Sequence, residues 1–146
     1  MHRKIGLRPA TPEDFDVAWK LYLVTMKPLT AELMTWDEAK QSTSFAAQWN
    51  VEEAQIIVFE GHTVGWMQAA EAPTEIFLQQ LYVSPKYQRR GIGSEVLQNL
   101  FKRCQATGKP LVLNVLKNNP AINLYERLGF CVVGEVGVKL KMRWNS

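Results

Sequence analysis

The chain has 146 residues, of which 47% are apolar and 21% charged, and its formal net charge is +3. This length fits one domain with its own hydrophobic core, and a composition without repeats or low-complexity tracts excludes extensive disorder. The charge is too small to indicate a nucleic-acid partner, and the apolar runs are too short to span a bilayer. We therefore expect a single domain over residues 1–146 that binds neither nucleic acid nor membrane.

The N-terminus turns polar before a signal-peptide core forms, so a cytoplasmic location is expected. Cys104 and Cys131 have neither metal-ligand spacing nor the density of a disulfide framework. Each cysteine lies in an apolar pattern, which predicts two buried free thiols.

The first third of the chain predicts a short strand and two helices. Thr11, Pro12 and Asp14 have the pattern of a capped helix start, and apolar residues at helical spacing follow as far as Met26. A less regular second helix is expected at residues 30–49.

The remaining chain predicts alternating strands and helices. A turn at Gly61-His62 separates two strands, Gly108 ends an amphipathic helix, and Asn119-Pro120 opens a last helix. Strands are expected at residues 54–60, 63–70, 75–83, 111–116, 130–136 and 138–144. The predicted order is β-α-α-β-β-β-α-β-α-β-β, one mixed α/β arrangement.

The turn before the third helix, Gln88–Ser94, is basic and rich in glycine. The first turn of a helix presents backbone N–H groups without partners and the positive end of the helix dipole, and arginines add donors suited to phosphate. The dinucleotide fingerprint fails because residue 96 is valine, and the P-loop spacing is absent. The turn therefore predicts a phosphate site of another class.

The sequence "QRRGIG" at residues 88–93 resembles the acyl-CoA pyrophosphate-binding signature of the GNAT superfamily of N-acetyltransferases. The residues before it, Leu81, Val83 and Pro85, are typical of the family, as is the Val64-Gly65-Trp66 stretch of the preceding hairpin. "NVLKNNPAINLYERLGF" is similar to the family's second signature. In that signature two residues separate the contacting asparagine from an alanine. Ala121 has this spacing from Asn118 but is one residue too close to Asn119, so both asparagines are candidates for the contact.

The resemblance implies a mixed α/β (α+β) fold with a mainly antiparallel, twisted sheet of about seven strands and four helices. Its central parallel strand pair splays apart, and the arm of acetyl-CoA pairs with the freed backbone. The implied cofactor-binding residues are Leu81, Tyr82, Val83, Gln88, Arg89, Arg90, Gly91, Ile92, Gly93, Ser94, Asn114, Asn119, Ala121 and Tyr125. A mid-strand asparagine such as Asn114 also needs a partner if it is buried.

The resemblance gives Tyr125 the role of general acid, because a protonated phenol can donate to the leaving CoA thiolate; packing alone is the alternative for this residue. No carboxylate occupies Gln79 or Gln80, where many members carry the base. Glu75, acting through water, is the first candidate for the base, and Glu71 is the next. The alternative is that catalysis depends mainly on the positioning of the reactants and on a backbone N–H that polarises the thioester carbonyl.

The acceptor, a small-molecule or peptide amine, is expected beside an aromatic-rich region. The candidate pocket residues are Tyr22, Met26, Trp36 and Gln80. An aromatic wall suits an apolar or cationic amine, although most large aromatics are core residues. Transfer is expected to be direct, without metal or covalent intermediate, and a homodimer is a reasonable default. The alternatives are a non-catalytic acyl-CoA sensor and, ranked last, a nucleic-acid-binding domain.

Overall fold

The computed structural model describes residues 5–146 and has the predicted order of helices and strands. The helices are α1 (Phe15–Leu33), α2 (Glu38–Gln48), α3 (Ile92–Thr107) and α4 (Ala121–Arg127). The strands are β1 (Gly6–Pro9), β2 (Ala54–Phe59), β3 (His62–Glu71), β4 (Ile76–Val83), β5 (Leu111–Leu116), β6 (Cys131–Val136) and β7 (Lys139–Trp144). They form one sheet in the order β1-β2-β3-β4-β5-β7-β6, which confirms the predicted fold class.

The chain divides into two compact units, and strands β3 and β4 each contribute to both. The first unit holds the chain up to Gln68 together with Gln80–Arg90. The second holds Ala69–Gln79 and Gly91–Ser146. None of the helices in the described part of the chain is long and apolar enough to cross a membrane.

In the first unit, β1 pairs antiparallel with β2, and β2 pairs antiparallel with β3. The turn between β2 and β3 consists of Glu60 and Gly61, whose φ angles are 53° and 79°. Two left-handed residues suit the twist of a two-residue hairpin. His62, predicted in this turn, is instead the first residue of β3, where it pairs with Phe59.

Helix α1 is longer than predicted, because it continues through Pro28 to Leu33. A proline removes one helical hydrogen bond and usually ends or kinks a helix, but the neighbouring turns can hold the helix together. The second helix therefore begins later than predicted, at Glu38. Asp37 caps it, because its side chain accepts a hydrogen bond from the Lys40 backbone N–H at 3.1 Å.

The core of the first unit is rich in aromatic residues. Trp66 on β3 is 1% exposed, and its ring lies 5.3–5.8 Å from those of Phe45, Trp49 and Tyr82. Edge-on and tilted pairs at these distances are favourable beyond the area that they bury. The apolar face predicted for α1 packs against this core, which confirms the helical spacing.

In the second unit, β7 pairs antiparallel with β5 on one side and with β6 on the other. Helix α3 buries its predicted apolar face, and Phe101 stacks on Trp144 with ring centroids 4.0 Å apart. Cys104 is buried as predicted, but Cys131 is exposed. The apolar pattern was misleading there because β6 is the last strand of the sheet order, and most of its residues are exposed.

The parallel pairing between β4 and β5 is short. It consists of Ile76 with Leu111, Phe77 with Val112, and Leu78 with Leu113. Strand β5 continues to Leu116, so its last residues lie beyond the ladder and pair only with β7. A parallel pair that ends early leaves backbone donors and acceptors for another extended chain.

Gly65 on β3 allows two backbones of the first unit to approach each other. A Cβ atom at this position would lie 2.2 Å from the Tyr82 carbonyl oxygen and 3.1 Å from the Val83 Cα atom. The backbone hydrogen bond from the Ser84 N–H to the Val64 oxygen, at 2.7 Å, holds the same approach.

We expect Gly65→Ala to lower the free energy of unfolding by about 1–3 kcal/mol, because overpacking displaces backbone there. Gly134→Ala is the matched control, since a Cβ atom at Gly134 meets nothing within 4 Å. Denaturant unfolding of both variants measures the effect. Equal stability of the two variants would contradict the close approach at Gly65.

Candidate functional site

The predicted phosphate turn contains two residues in the left-handed region. Arg89, at the end of the first unit, has a φ of 64°, and Gly91, at the start of the second, has a φ of 79°. Helix α3 begins directly afterwards, and its first backbone hydrogen bond runs from the Glu95 N–H to the Gly91 oxygen. Within residues 5–146, the backbone N–H groups of residues 91–94 have no hydrogen-bond acceptor, so they remain free for an anion.

The side chains of the turn in the first unit are partly held in place. The Gln88 Nε2 group donates to the Val83 carbonyl oxygen at 2.9 Å, so this predicted cofactor contact folds back onto the end of β4. The Arg90 guanidinium lies 5.5 Å from the centre of the Tyr87 ring, and the Lys86 ammonium lies 5.8 Å from it. Such cation–π contacts orient a charged group without neutralising it.

The first unit brings together most of the predicted acceptor residues. The Tyr22 and Tyr82 rings meet edge to face with centroids 5.8 Å apart, and the Tyr82 hydroxyl donates to the Gln80 side-chain oxygen. The Tyr22 hydroxyl donates to Gln41 Oε1 at 2.9 Å, and burial raises the pKa of this tyrosine. Met26 packs against the same aromatic core.

Trp36 does not join this group. Its Nε1 donates to Glu38 Oε1 at 3.4 Å, and its ring lies 6.0 Å from the Lys27 ammonium. Lys27 and Glu38 also form an exposed ion pair at 3.1 Å. Trp36 therefore lies apart from Tyr22 and Gln80, with which it was predicted to form the acceptor pocket.

Asn114 in the second unit has an unsatisfied polar atom. It follows Leu113, the last residue of the parallel ladder on β5, and its side-chain Oδ1 atom is buried with no hydrogen-bond partner among residues 5–146. Leaving such a group without a partner is costly, so an external donor is expected. The buried Asn114 oxygen is therefore a suitable acceptor for the donor groups along the arm of a CoA molecule.

The second signature folds as predicted around helix α4. The Asn119 Oδ1 atom accepts a hydrogen bond from the Ala121 backbone N–H at 2.9 Å. The Asn119 side chain therefore holds the first backbone N–H of α4. Gly93 of the first signature lies against the same helix, since a Cβ atom there would be 3.7 Å from a Leu124 methyl group.

Tyr125 on α4 is 8% exposed, and its ring meets that of Phe130 edge to face at 5.5 Å. Burial raises the pKa of Tyr125 to about 12. The phenol is therefore protonated throughout the neutral range, as a proton donor has to be.

The two candidate bases lie in different settings. The Glu71 carboxylate is 2.8 Å from Lys109 and 3.5 Å from Arg103, and the Lys109 hydrogen bond and charge lower its pKa. Glu75 lies in the turn before β4, at the end where Ile76 pairs with Leu111. Asn114 is three residues further along β5, roughly 10 Å away along the strand. The structure does not bring Glu75 and Asn114 together, so any role of Glu75 there requires a relay through water.

Two features were not predicted as functional. Gln41, the partner of Tyr22, lies among the polar residues of α2, and no spacing distinguishes it. Lys139 and Lys141 on β7 alternate with the apolar residues Leu140 and Met142, a pattern that indicates a polar sheet face.

Comparison with known proteins identifies the class. The sequence profile of the acetyltransferase (GNAT) family matches residues 15–130. The chain is 27% identical to a phosphinothricin N-acetyltransferase of Streptomyces viridochromogenes over 90% of this chain and 77% of that protein. It is 37% identical to the peptidyl-lysine N-acetyltransferase YiaC of Escherichia coli over 51% of this chain and 47% of that protein.

A solved structure has the same fold. The PaiA N-acetyltransferase of Thermoplasma acidophilum, in complex with coenzyme A, superposes with a TM-score of 0.79 at 18% identity. The superposition covers 98% of this chain and 99% of that protein. The chain belongs to the acetyltransferase (GNAT) family and is an acetyl-CoA-dependent N-acetyltransferase.

Proposed function

We propose that this protein transfers the acetyl group of acetyl-CoA directly to a primary amine. The observation that carries the proposal is the turn at residues 88–94, because the N–H groups of residues 91–94 have no acceptor within residues 5–146 and the left-handed Arg89 and Gly91 suit a pyrophosphate. Asn114 supports it independently, because its buried Oδ1 atom lacks a donor. Acetyl-CoA supplies an acetyl group activated as a thioester.

The proposed cofactor contacts divide by chemistry. Backbone N–H groups of the turn, with Arg89 and Arg90, take the phosphate charge. The backbone of Leu81 and Val83 is proposed to form hydrogen bonds with the extended arm of acetyl-CoA, since these residues lie on the part of β4 beyond the parallel ladder. The remaining predicted contacts, Tyr82, Gln88, Ile92, Gly93, Ser94, Asn119 and Ala121, are proposed to shape this site.

We expect Arg90→Gln to weaken acetyl-CoA binding by about tenfold, because a charge-assisted contact to phosphate is lost. The loss should shrink at high salt, where exposed charges are screened. Calorimetric titration at two salt concentrations measures both effects. Arg127→Gln is the control: an exposed arginine in the last turn of α4 is replaced in the same way. Equal affinity of the two variants would remove Arg90 from the site.

Tyr125 is the proposed general acid. The amine nitrogen bonds to the thioester carbonyl carbon, the carbon–sulfur bond breaks, and the sulfur takes the Tyr125 hydroxyl proton. The proton released by the amine passes to the base or to water, and the tyrosinate recovers its own proton from solvent. Because the pKa of Tyr125 is about 12, its acid form is present at every pH below that value.

We expect Tyr125→Phe to lower kcat by about a hundredfold or more, since general acid catalysis contributes at least that much. The melting temperature and the acetyl-CoA affinity should stay near those of the wild type, because phenylalanine keeps the packing against Phe130. Tyr87→Phe is the matched control, which keeps a ring beneath Arg90. Unchanged turnover in Tyr125→Phe would leave this residue a packing role only.

Glu75 is proposed as the base through water. If so, Glu75→Gln changes the pH–rate profile and lowers kcat, because an amide cannot accept the proton of the amine. Glu53→Gln, a replacement on the first unit, controls for the change of charge. A pH–rate profile identical to that of the wild type would exclude Glu75 as the base. Catalysis would then depend on the positioning of the reactants.

A panel of amines, assayed for CoA release beside acetyl-CoA binding, tests the proposed function. The panel includes phosphinothricin and lysine peptides, the acceptors named for the two relatives. Release with any amine supports acetyl transfer. Binding of acetyl-CoA without release on any amine would contradict it and favour an acyl-CoA sensor.

A further inference from the structure

Strand β7 places its basic residues on one face of the sheet in the second unit. Successive residues of a strand point to opposite faces, so Lys139, Lys141 and Arg143 share one face. Leu140, Met142 and Trp144 share the other face, where Trp144 stacks on Phe101 of α3. The three cations therefore lie on the sheet face opposite α3.

The strands on either side provide no carboxylate on that face. In β5 the directly opposed residues are Leu116, Asn114 and Val112. In β6 they are Val136, Gly134 and Cys131. The one acidic residue of these three strands, Glu135, is opposed to Leu140 and so faces the other way. It forms an ion pair with Lys117 at 3.1 Å.

Two of the cations are left without a partner. Arg143 donates to the Asn145 side chain at 2.9 Å, but the Lys139 and Lys141 side chains form no hydrogen bond or ion pair within residues 5–146. Both lysines are only partly exposed, and burial lowers the pKa of Lys139. A partly buried ammonium without a counter-ion is unfavourable, so an anion bound beside these lysines would stabilise their charged forms.

The same face carries the unsatisfied Asn114. In the register of β5 and β7, Asn114 lies directly opposite Lys141. On the other side of Lys141 lies Gly134, where a Cβ atom would meet nothing within 4 Å. The two lysines and Asn114 are here named the basic face, and Gly134 is the open position beside it.

We propose that the basic face binds a carboxylate of the acceptor, so that the amine substrate is an amino acid and not a simple amine. This inference rests on the proposed acetyl transfer and names its substrate class. Two ammonium groups supply the charge-assisted donors that a carboxylate accepts. The Asn114 side chain, proposed above to contact the CoA arm, adjoins Lys141 and so places the carboxylate beside the cofactor. The inference differs from the expectation of an apolar or cationic amine, which rested on the aromatic residues of the first unit.

The test compares acids with their amides. A series of amino acids, with one to five carbons between amine and carboxylate, is assayed beside the corresponding primary amides. Wild-type protein is expected to prefer at least one acid by about tenfold in kcat/KM, the effect of one charge-assisted hydrogen bond. Lys139→Met and Lys141→Met are expected to lose this preference, whereas Lys139→Arg keeps it. Comparing the preference between variants cancels the intrinsic reactivity of each amine.

Lys102→Met is the matched control, since it removes an exposed lysine from α3 in the same unit. It should keep the preference of the wild type. Melting temperatures check that each variant is folded. Equal use of acids and amides by the wild type, or a preference that survives in both Lys139→Met and Lys141→Met, would overturn the inference and leave acetyl transfer intact.

A binding measurement separates this inference from the proposed function. The N-acetylated forms of the same acids and amides are titrated calorimetrically into the wild type and the variants. Tighter binding of the acids to the wild type alone supports the basic face even if no amine in the panel is acetylated. Equal binding of acids and amides to the wild type would overturn the inference, whereas absence of CoA release with every amine of the panel would overturn the proposed acetyl transfer.

Discussion

The parallel ladder between β4 and β5 has only three residue pairs, and its short length determines which polar groups of the second unit are available to a ligand. Because it ends at Leu78 and Leu113, the rest of β5 has a strand neighbour only in β7. Asn114 is the first residue after that end, and its buried side-chain oxygen has no partner. A longer ladder would satisfy the backbone and remove the reason for a ligand to pair there. The proposed cofactor and carboxylate contacts of this unit both depend on the early end of the ladder.

The first unit depends on a different constraint, the close approach of two strands at Gly65. The approach lets Trp66 pack among the rings of Phe45, Trp49 and Tyr82. The hydroxyl of Tyr82 then reaches Gln80, and its ring meets Tyr22. The proposed acceptor residues Tyr22 and Gln80 therefore lie at the margin of an aromatic-rich core, where hydrogen bonds hold their polar groups.

Local signals predicted the order of the helices and strands, and tertiary context changed several of the boundaries. The predicted helical spacing extended only to Met26, yet α1 continues through Pro28 to Leu33. Cys131 had an apolar pattern but lies on the exposed last strand. The resemblance supplied the cofactor contacts, whereas the acceptor residues were inferred from composition alone. Composition could not separate Trp36, which joins a surface ion pair, from Tyr22, because both are aromatic residues near helices.

The sequence by itself determined the family, the cofactor and the place of the basic turn at the start of a helix, since these depend on short motifs whose glycines, asparagines and arginines act locally. Only the tertiary structure decided which side chains lack partners. Within residues 5–146, strand register leaves the Asn114 Oδ1 atom, Lys139 and Lys141 without a partner, and it also brings Glu135 to Lys117. Register joins residues that are far apart in the chain, and a shift of one residue would turn each of these side chains to the opposite face of the sheet.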